Sequence, residues 1–132
     1  PVASGLLSGK ITLTTGFGRV DDVRVWGPQL KQENIIGNMP IVEMLKKFAA
    51  EKQATPAQVS LAWMLRKYPN VVPIPGSKNK GRIMENLRAC EVQLTDEEFN
   101  RLESELDRLP VYGTRGHAET DQTSFGNNWL KK

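Results

Sequence analysis

At 132 residues, with 39% hydrophobic and 25% charged side chains, the chain has the length and composition of one soluble domain around a single core. Its net charge of +3 is too mild to argue for a nucleic-acid partner, and its single cysteine, Cys90, excludes an intrachain disulfide or a cysteine metal cluster. No apolar run reaches the ~18 residues of a membrane span, so no membrane association is expected.

No secretory leader is visible, so a reducing, cytoplasmic setting is expected. The chain opens at Pro1 on a Gly-rich stretch, as the interior of a longer protein would. Residues 1–37 read as loop, because Gly5, Gly9, Gly16, Gly18, Gly27 and Pro28 break any period. Within them, Gly5–Gly9 suits a turn of helix between glycines. Loops longer than ~15 residues are uncommon in compact domains and are usually functional or mobile. A helix is expected from Ile35 or Asn38 to Lys52, with Pro40 in its first turn, where a missing N–H costs nothing. Ile41, Val42, Leu45, Phe48 and Ala49 form its apolar stripe, and Lys46, Lys47, Glu51 and Lys52 its wet face. A second helix starts at Thr55, where Thr55-Pro56-Ala57-Gln58 combines an N-cap, proline at the first helical position and Gln at the third: a capping box. Its Ser60–Leu65 run is apolar nearly all round, which predicts deep burial, and Pro69 ends it.

Val71–Ile74 is the one clear strand, apolar without alternation as in a parallel strand covered on both faces. A helix from about Lys80 to Ala89 follows, burying Ile83 and Leu87, with Cys90 as a small buried group at its end. The last helix begins at Thr95, with Glu98 closing a second capping box and Leu94 stapled onto Phe99. Phe99, Leu102, Leu106 and Leu109 form its buried stripe, and Pro110 stops it. Phe125 and Trp129 are candidate anchors in the tail. Because a buried strand needs hydrogen-bonded neighbours, either its partner strands lie outside this chain or Val71–Ile74 is not a strand.

The chemistry concentrates just after that strand. Gly76, Ser77, Lys78 and Arg82 surround a helix start, where free N–H groups and partial positive charge favour an anion of phosphate size. The plainer alternative, a capped helix with ordinary solvated charges, stays open on spacing alone.

Pro73-Ile74-Pro75-Gly76-Ser77 followed by Arg82–Leu87 resembles the last strand and following helix of the aldo-keto reductases. Thr55–Gln58 with Leu61-Ala62-Trp63 is similar to that family's TPAQ-x-x-LAW helix, and Leu94-Thr95 with Glu97-Glu98 to its LT-x-EE helix start. Pro1–Lys10 resembles its SPLA-x-GLL-x-GK loop after strand 7. The resemblance spans about Pro1–Leu109. It implies an α/β fold: the C-terminal part of a (β/α)8 TIM barrel, mostly helical here, with one strand. Residues 1–37 would be a cofactor loop, 38–109 the helices, last strand and cofactor-binding helix, and 110–132 a tail.

The implied cofactor is NADP(H). Gly76, Ser77, Lys78 and Arg82 would hold its 2′-phosphate end, Glu85 and Asn86 its adenine, and Val2, Ala3, Gly5 and Lys10 its pyrophosphate and sugars. Arg19 would close over it. Many family members carry Lys where this chain has Gly76, a charge that Lys78 would supply instead. The family's catalytic Asp, Tyr, Lys and His have no counterpart here, so no catalytic residue is assigned to this chain, and carbonyl reduction by the parent would need the rest of the barrel. The partners expected are that remainder and a small-molecule carbonyl substrate.

Of the other residues, His117 reads as an exposed tail residue with no metal-ligand company. Tyr68 and Tyr112 read as helix-end and tail packing, and the three tryptophans as core or anchor residues, with contact to substrate or cofactor in the parent the lesser alternative for Trp26 on the long loop. Asp96, Glu97 and Glu98 suit a helix dipole, and the other acids a wet face. The rival to the enzyme is a non-catalytic helical binding module whose basic patch at residues 78–82 meets a phosphorylated or acidic partner.

Overall fold

The computed structural model describes residues 2–18 and 22–114. Arg19, His117, Phe125 and Trp129 lie outside the described residues. Four α-helices carry the architecture: α1 (Gln32–Glu51), α2 (Pro56–Lys67), α3 (Lys80–Leu87) and α4 (Asp96–Asp107). Among the described residues four 3-10 segments, Ala3–Ser8, Val23–Trp26, Pro28–Leu30 and Arg88–Glu91, fill the connections, so the stretches 3–8 and 23–30 carry more local structure than their glycines suggest.

The long helix α1 lies along α2 and touches α4, while Ala3–Ser8 sits against both α1 and α2. Two apolar clusters share α1. Ile41, Met44, Leu45, Phe48 and Ala49 meet Val59 of α2 and Leu102 of α4. On the other side Ile35 and Val42 meet Leu6, Ile11 and Leu30 from the N-terminal segment. Each such side chain removed from water contributes about 1.5–3 kcal/mol, which makes α1 the spine of the structure.

That second cluster explains why α1 starts at Gln32, ahead of the expected Ile35 or Asn38. Burial of Ile35 and Asn38 rewards helix on the N-terminal side of the proline. Pro40 therefore lies inside the helix, a correction to its expected place in the first turn. An interior proline deprives the carbonyl four residues back of its donor. Here that residue is Ile36, and both it and Pro40 are exposed, so water can satisfy the group.

Both capping boxes form as their sequences require. Thr55 and Thr95 accept from the backbone N–H groups of Gln58 and Glu98, whose side chains reach back to the Thr backbone N–H groups. In α2, Ala57, Val59, Ser60, Leu61 and Ala62 are buried, but Trp63, Met64 and Leu65 of the apolar run are only half-buried, so the deep burial expected of the run holds for its first half alone. At the end of α2, Tyr68 meets Trp63 edge to face.

Four expectations fail in the segment from 71 to 91. Val71–Ile74 joins no β-ladder, and no strand occurs among the described residues. Val72 and Ile74 are 83% and 84% exposed, which is untenable for the middle of a parallel sheet and natural for a segment lacking its neighbours. Helix α3 ends at Leu87 and tightens into the 3-10 turn Arg88–Glu91. Ile83 and Leu87 are exposed rather than buried, because nothing among the described residues covers their face. Cys90 is likewise exposed, not buried, and Ala89 is the residue of that turn that goes inward.

After α4 the chain returns to α1 through Asn38. This buried amide donates to the Tyr112 carbonyl (2.8 Å) and accepts from the Tyr112 N–H (2.9 Å). A Cβ on Gly37 would stand 2.5 Å from the Tyr112 ring, so glycine is what admits the aromatic here. No helix among the described residues is long and apolar enough to cross a membrane.

The α4 start carries a testable electrostatic signature. The hydrogen bond from Lys52, with that from the Thr95 backbone, holds the Glu98 carboxyl below its ordinary value of 4.5. A carboxyl lowered on folding adds stability that is complete above its unfolded value and lost as pH falls through its folded one. Glu98→Gln preserves the capping box and removes only the charge. The variant is expected to unfold at lower urea than the parent at neutral pH, with the difference shrinking and vanishing as pH falls below 4.5 and through the lowered folded-state value, as urea titrations across that range would show.

Candidate functional site

A cavity of about 1040 Å³ opens between two walls. One is the N-terminal segment, supplying Val2, Gly5, Lys10, Asp22 and Arg24. The other is the stretch from Pro75 to Asn86, supplying Gly76, Ser77, Lys78, Arg82 and Glu85. Residues more than sixty positions apart thus meet across one opening, held there by α1 and α2 beneath.

The first wall is built on unusual backbone. Ala3, Ser4 and Gly5 have consecutive positive φ angles of 47°, 54° and 99°. For Ala3 and Ser4 this left-handed conformation costs about 1–2 kcal/mol each. The Gly5 N–H bonds the Val2 carbonyl (2.9 Å) and the Ser8 hydroxyl donates to the Gly5 carbonyl (2.6 Å), holding the turn closed. Burial of Leu6, with Ala3 packed beside its cluster, anchors it from below.

The second wall begins where the chain leaves Pro75. A Cβ on Gly76 would meet nothing within 4 Å, so the missing side chain leaves free space rather than admitting a neighbour. The Ser77 hydroxyl closes a turn on Asn79, accepting from its N–H (3.1 Å) and donating to its carbonyl (3.4 Å), instead of standing free as an anion donor. Asn79, not Ser77, is the N-cap of α3: its side-chain oxygen accepts from the Arg82 N–H (3.0 Å).

Charge in the cavity is unbalanced. Lys10, Arg24, Lys78 and Arg82 face it with only Asp22 and Glu85 to oppose them. Asp22 binds Arg24 side-on, accepting from Nε (2.8 Å) and Nη2 (2.6 Å). This hydrogen-bonded pair keeps the Arg24 guanidinium above its already high ordinary value, and the group also stacks over the Phe17 ring at 4.9 Å. Glu85 faces Lys10 at 3.6 Å. Both carboxylates are thereby engaged, while Lys78 and Arg82 have no carboxylate partner among the described residues. The uncompensated positive potential suits a phosphorylated ligand. No cluster of three or more His, Cys, Asp or Glu side chains able to hold a metal occurs among the described residues.

Nine of the residues expected to bind a cofactor line this cavity: Val2, Gly5, Lys10, Gly76, Ser77, Lys78, Arg82, Glu85 and Asn86. Ala3 does not line it and is half-buried toward the core instead. Trp26, 65% exposed, does not line it either. Sequence reasoning missed Asp22 and Arg24, although an Asp two residues before an Arg, after a Gly-rich run, is a usable sign of a capped turn with a local ion pair. It also missed Asn79, whose side chain is a better helix cap than the residues on either side.

The model of the Aldo/keto reductase family matches residues 1–107. The chain belongs to the aldo/keto reductase family. Among curated members, "Aldo-keto reductase yakc", whose name specifies NADP(+), from Schizosaccharomyces pombe is 32% identical over 115 residues, covering 87% of this chain and 34% of that protein. "Aldo-keto reductase str7" of Strobilurus tenacellus is also 32% identical over 115 residues, with the same coverage of 87% and 34%. "Probable aldo-keto reductase 1" of Glycine max is 33% identical over 98 residues, 74% of this chain and 28% of that protein. The chain thus spans about a third of the length of these aldo/keto reductases. No solved structure matches it significantly.

Because α3 is only eight residues long, its cap matters more than in a longer helix. Asn79→Ala is expected to cost about 1 kcal/mol locally. Hydrogen exchange should show it as faster exchange of the Arg82–Met84 amides, with protection in α2 unchanged.

Proposed function

We propose that this chain is the cofactor-holding, C-terminal part of an NADP(H)-dependent aldo/keto reductase that converts aldehydes or ketones to alcohols within a (β/α)8 barrel. The observation that carries the reading is a cavity joining Val2–Lys10 to Gly76–Asn86, lined by Lys78 and Arg82, two cations with no carboxylate partner among the described residues.

The residues present fit a phosphorylated dinucleotide. At about 1040 Å³ the cavity lies at the upper limit of small-molecule pockets (~300–1,000 Å³), as an extended ligand requires. Lys78 and Arg82 would take the 2′-phosphate, Arg82 with two parallel N–H donors. Gly76 and Ser77 would border it, and Glu85 and Asn86 would flank the adenine. Val2, Gly5 and Lys10 would follow the pyrophosphate and sugars, with Ala3 behind them as backbone support and Arg19 as a closing residue. The cofactor would supply the hydride, and this chain the binding and orientation. The proton donor and the groups that tune it would come from the rest of the barrel, as would most of the carbonyl pocket. A cytoplasmic setting agrees with the exposed thiol of Cys90.

The unpaired run Val71–Ile74 is what the rival, a non-catalytic anion-binding module, would also show. The outward Val72 and Ile74 favour the enzyme, since a self-sufficient module gains nothing by exposing them.

In the full-length reductase, Arg82→Gln and Lys78→Gln are each expected to weaken NADPH by about 1.5–3 kcal/mol, roughly 10–100-fold, and NADH far less. Fluorescence titration with the two nucleotides checks this, and equal losses for both would refute contact with the 2′-phosphate. The purified 132-residue chain is expected to show no NADPH-dependent carbonyl reduction in a spectrophotometric assay. Any turnover by it would place the proton donor within the chain after all.

A further inference from the structure

We infer that the α2 capping box is also a positioning device for the cavity, acting through Glu85 on Lys10. The inference rests on the dinucleotide reading and adds Thr55 and Gln58 to the residues that set its geometry. Neither lines the cavity.

The α3 helix buries none of its own side chains, so apolar packing does not fix where it sits. Its attachment to α2 is polar and converges on one residue. The Thr55 hydroxyl donates to Glu85 Oε1 (2.8 Å), and Gln58 Nε2 donates to the Glu85 backbone carbonyl (2.9 Å). The other Glu85 oxygen, Oε2, faces Lys10 Nζ across the cavity mouth.

A capping box ordinarily closes on itself. The Thr hydroxyl needs only a lone pair to accept from the third backbone N–H, and the Gln needs only its oxygen to accept from the cap N–H. Both jobs are done here, at 3.3 Å and 2.9 Å. That leaves one hydroxyl hydrogen and one amide group spare, and both are spent on Glu85. Its carboxylate, 22% exposed, is therefore held by one oxygen with the second turned to Lys10, which is 57% exposed and has no other ion-pair partner among the described residues. The chain of contacts fixes the position of Lys10, on one wall, relative to α3, on the other. An anionic ligand spanning both walls meets a cation already in place, which spares the cost of ordering a long flexible side chain on binding.

Two substitutions at Thr55 separate positioning from capping. Thr55→Ser keeps both the cap and the hydroxyl hydrogen. Thr55→Asp keeps the cap, since Asp caps at least as well as Thr, but replaces the donor to Glu85 with a second carboxylate. Each is made in the full-length reductase, alone and with Lys10→Met, and NADPH dissociation constants are read from nucleotide fluorescence beside thermal unfolding midpoints. The expected result is that T55S binds like the parent. T55D should lose affinity by about tenfold, the scale of one charge-assisted contact, while its unfolding midpoint stays near that of the parent. In the K10M background T55D should add little further loss, because the side chain it misplaces is gone. NADPH affinity unchanged in T55D, or an equal loss with and without Lys10, overturns the positioning role; the second pattern would mark simple charge repulsion. Absence of NADPH binding by the unsubstituted protein overturns the dinucleotide reading and this inference together.

Discussion

Burial of α1 on two sides is the constraint from which the rest follows. One side of the helix closes over α2 and α4, the other over Leu6, Ile11 and Leu30. The N-terminal segment, rich in glycine and short of regular structure, takes a defined course because its few apolar residues have that second face to cover. The strained turn at Ala3–Gly5 is tenable for the same reason: a left-handed Ala and Ser in succession persist only where surrounding contacts over-determine them.

The opposite wall obeys different physics. Apolar burial reaches α3 only through Ala89, in the turn that follows it, and the helix itself is held by hydrogen bonds from the first turn of α2. One wall is thus held by apolar packing and the other by hydrogen bonds.

What was legible in the sequence was mostly local. Thr55–Gln58 and Thr95–Glu98 each complete their geometry within four residues, so nothing distant could overturn them. The cavity residues were legible because motif order preserved them, although nothing in the sequence placed Ala3 behind the wall rather than on it. The failed expectations about Pro40, α3 and the strand were matters of long-range context. Pro40 looks like a helix start until Ile35 and Asn38 find partners on the N-terminal segment. Ile83 and Leu87 form an apolar stripe whose covering surface is not among the described residues. Val71–Ile74 has the composition of a strand, but composition cannot supply a neighbour. Asp22–Arg24 escaped notice because the pair acts within an irregular turn, where periodicity carries no signal.

Residues 71–77 have a polarity of their own. Exposure alternates along them, with Val72, Ile74 and Gly76 outward and Pro73, Pro75 and Ser77 half-covered, the two-residue period of an extended chain. In such a chain the backbone groups of alternate residues face opposite edges. Val72, Ile74 and Gly76 offer amide hydrogens along one edge, while prolines occupy positions 73 and 75 on the other and offer none. Docking of a second strand is therefore directional, with donors and acceptors at 72, 74 and 76 on one side and acceptors alone at 73 and 75 on the other.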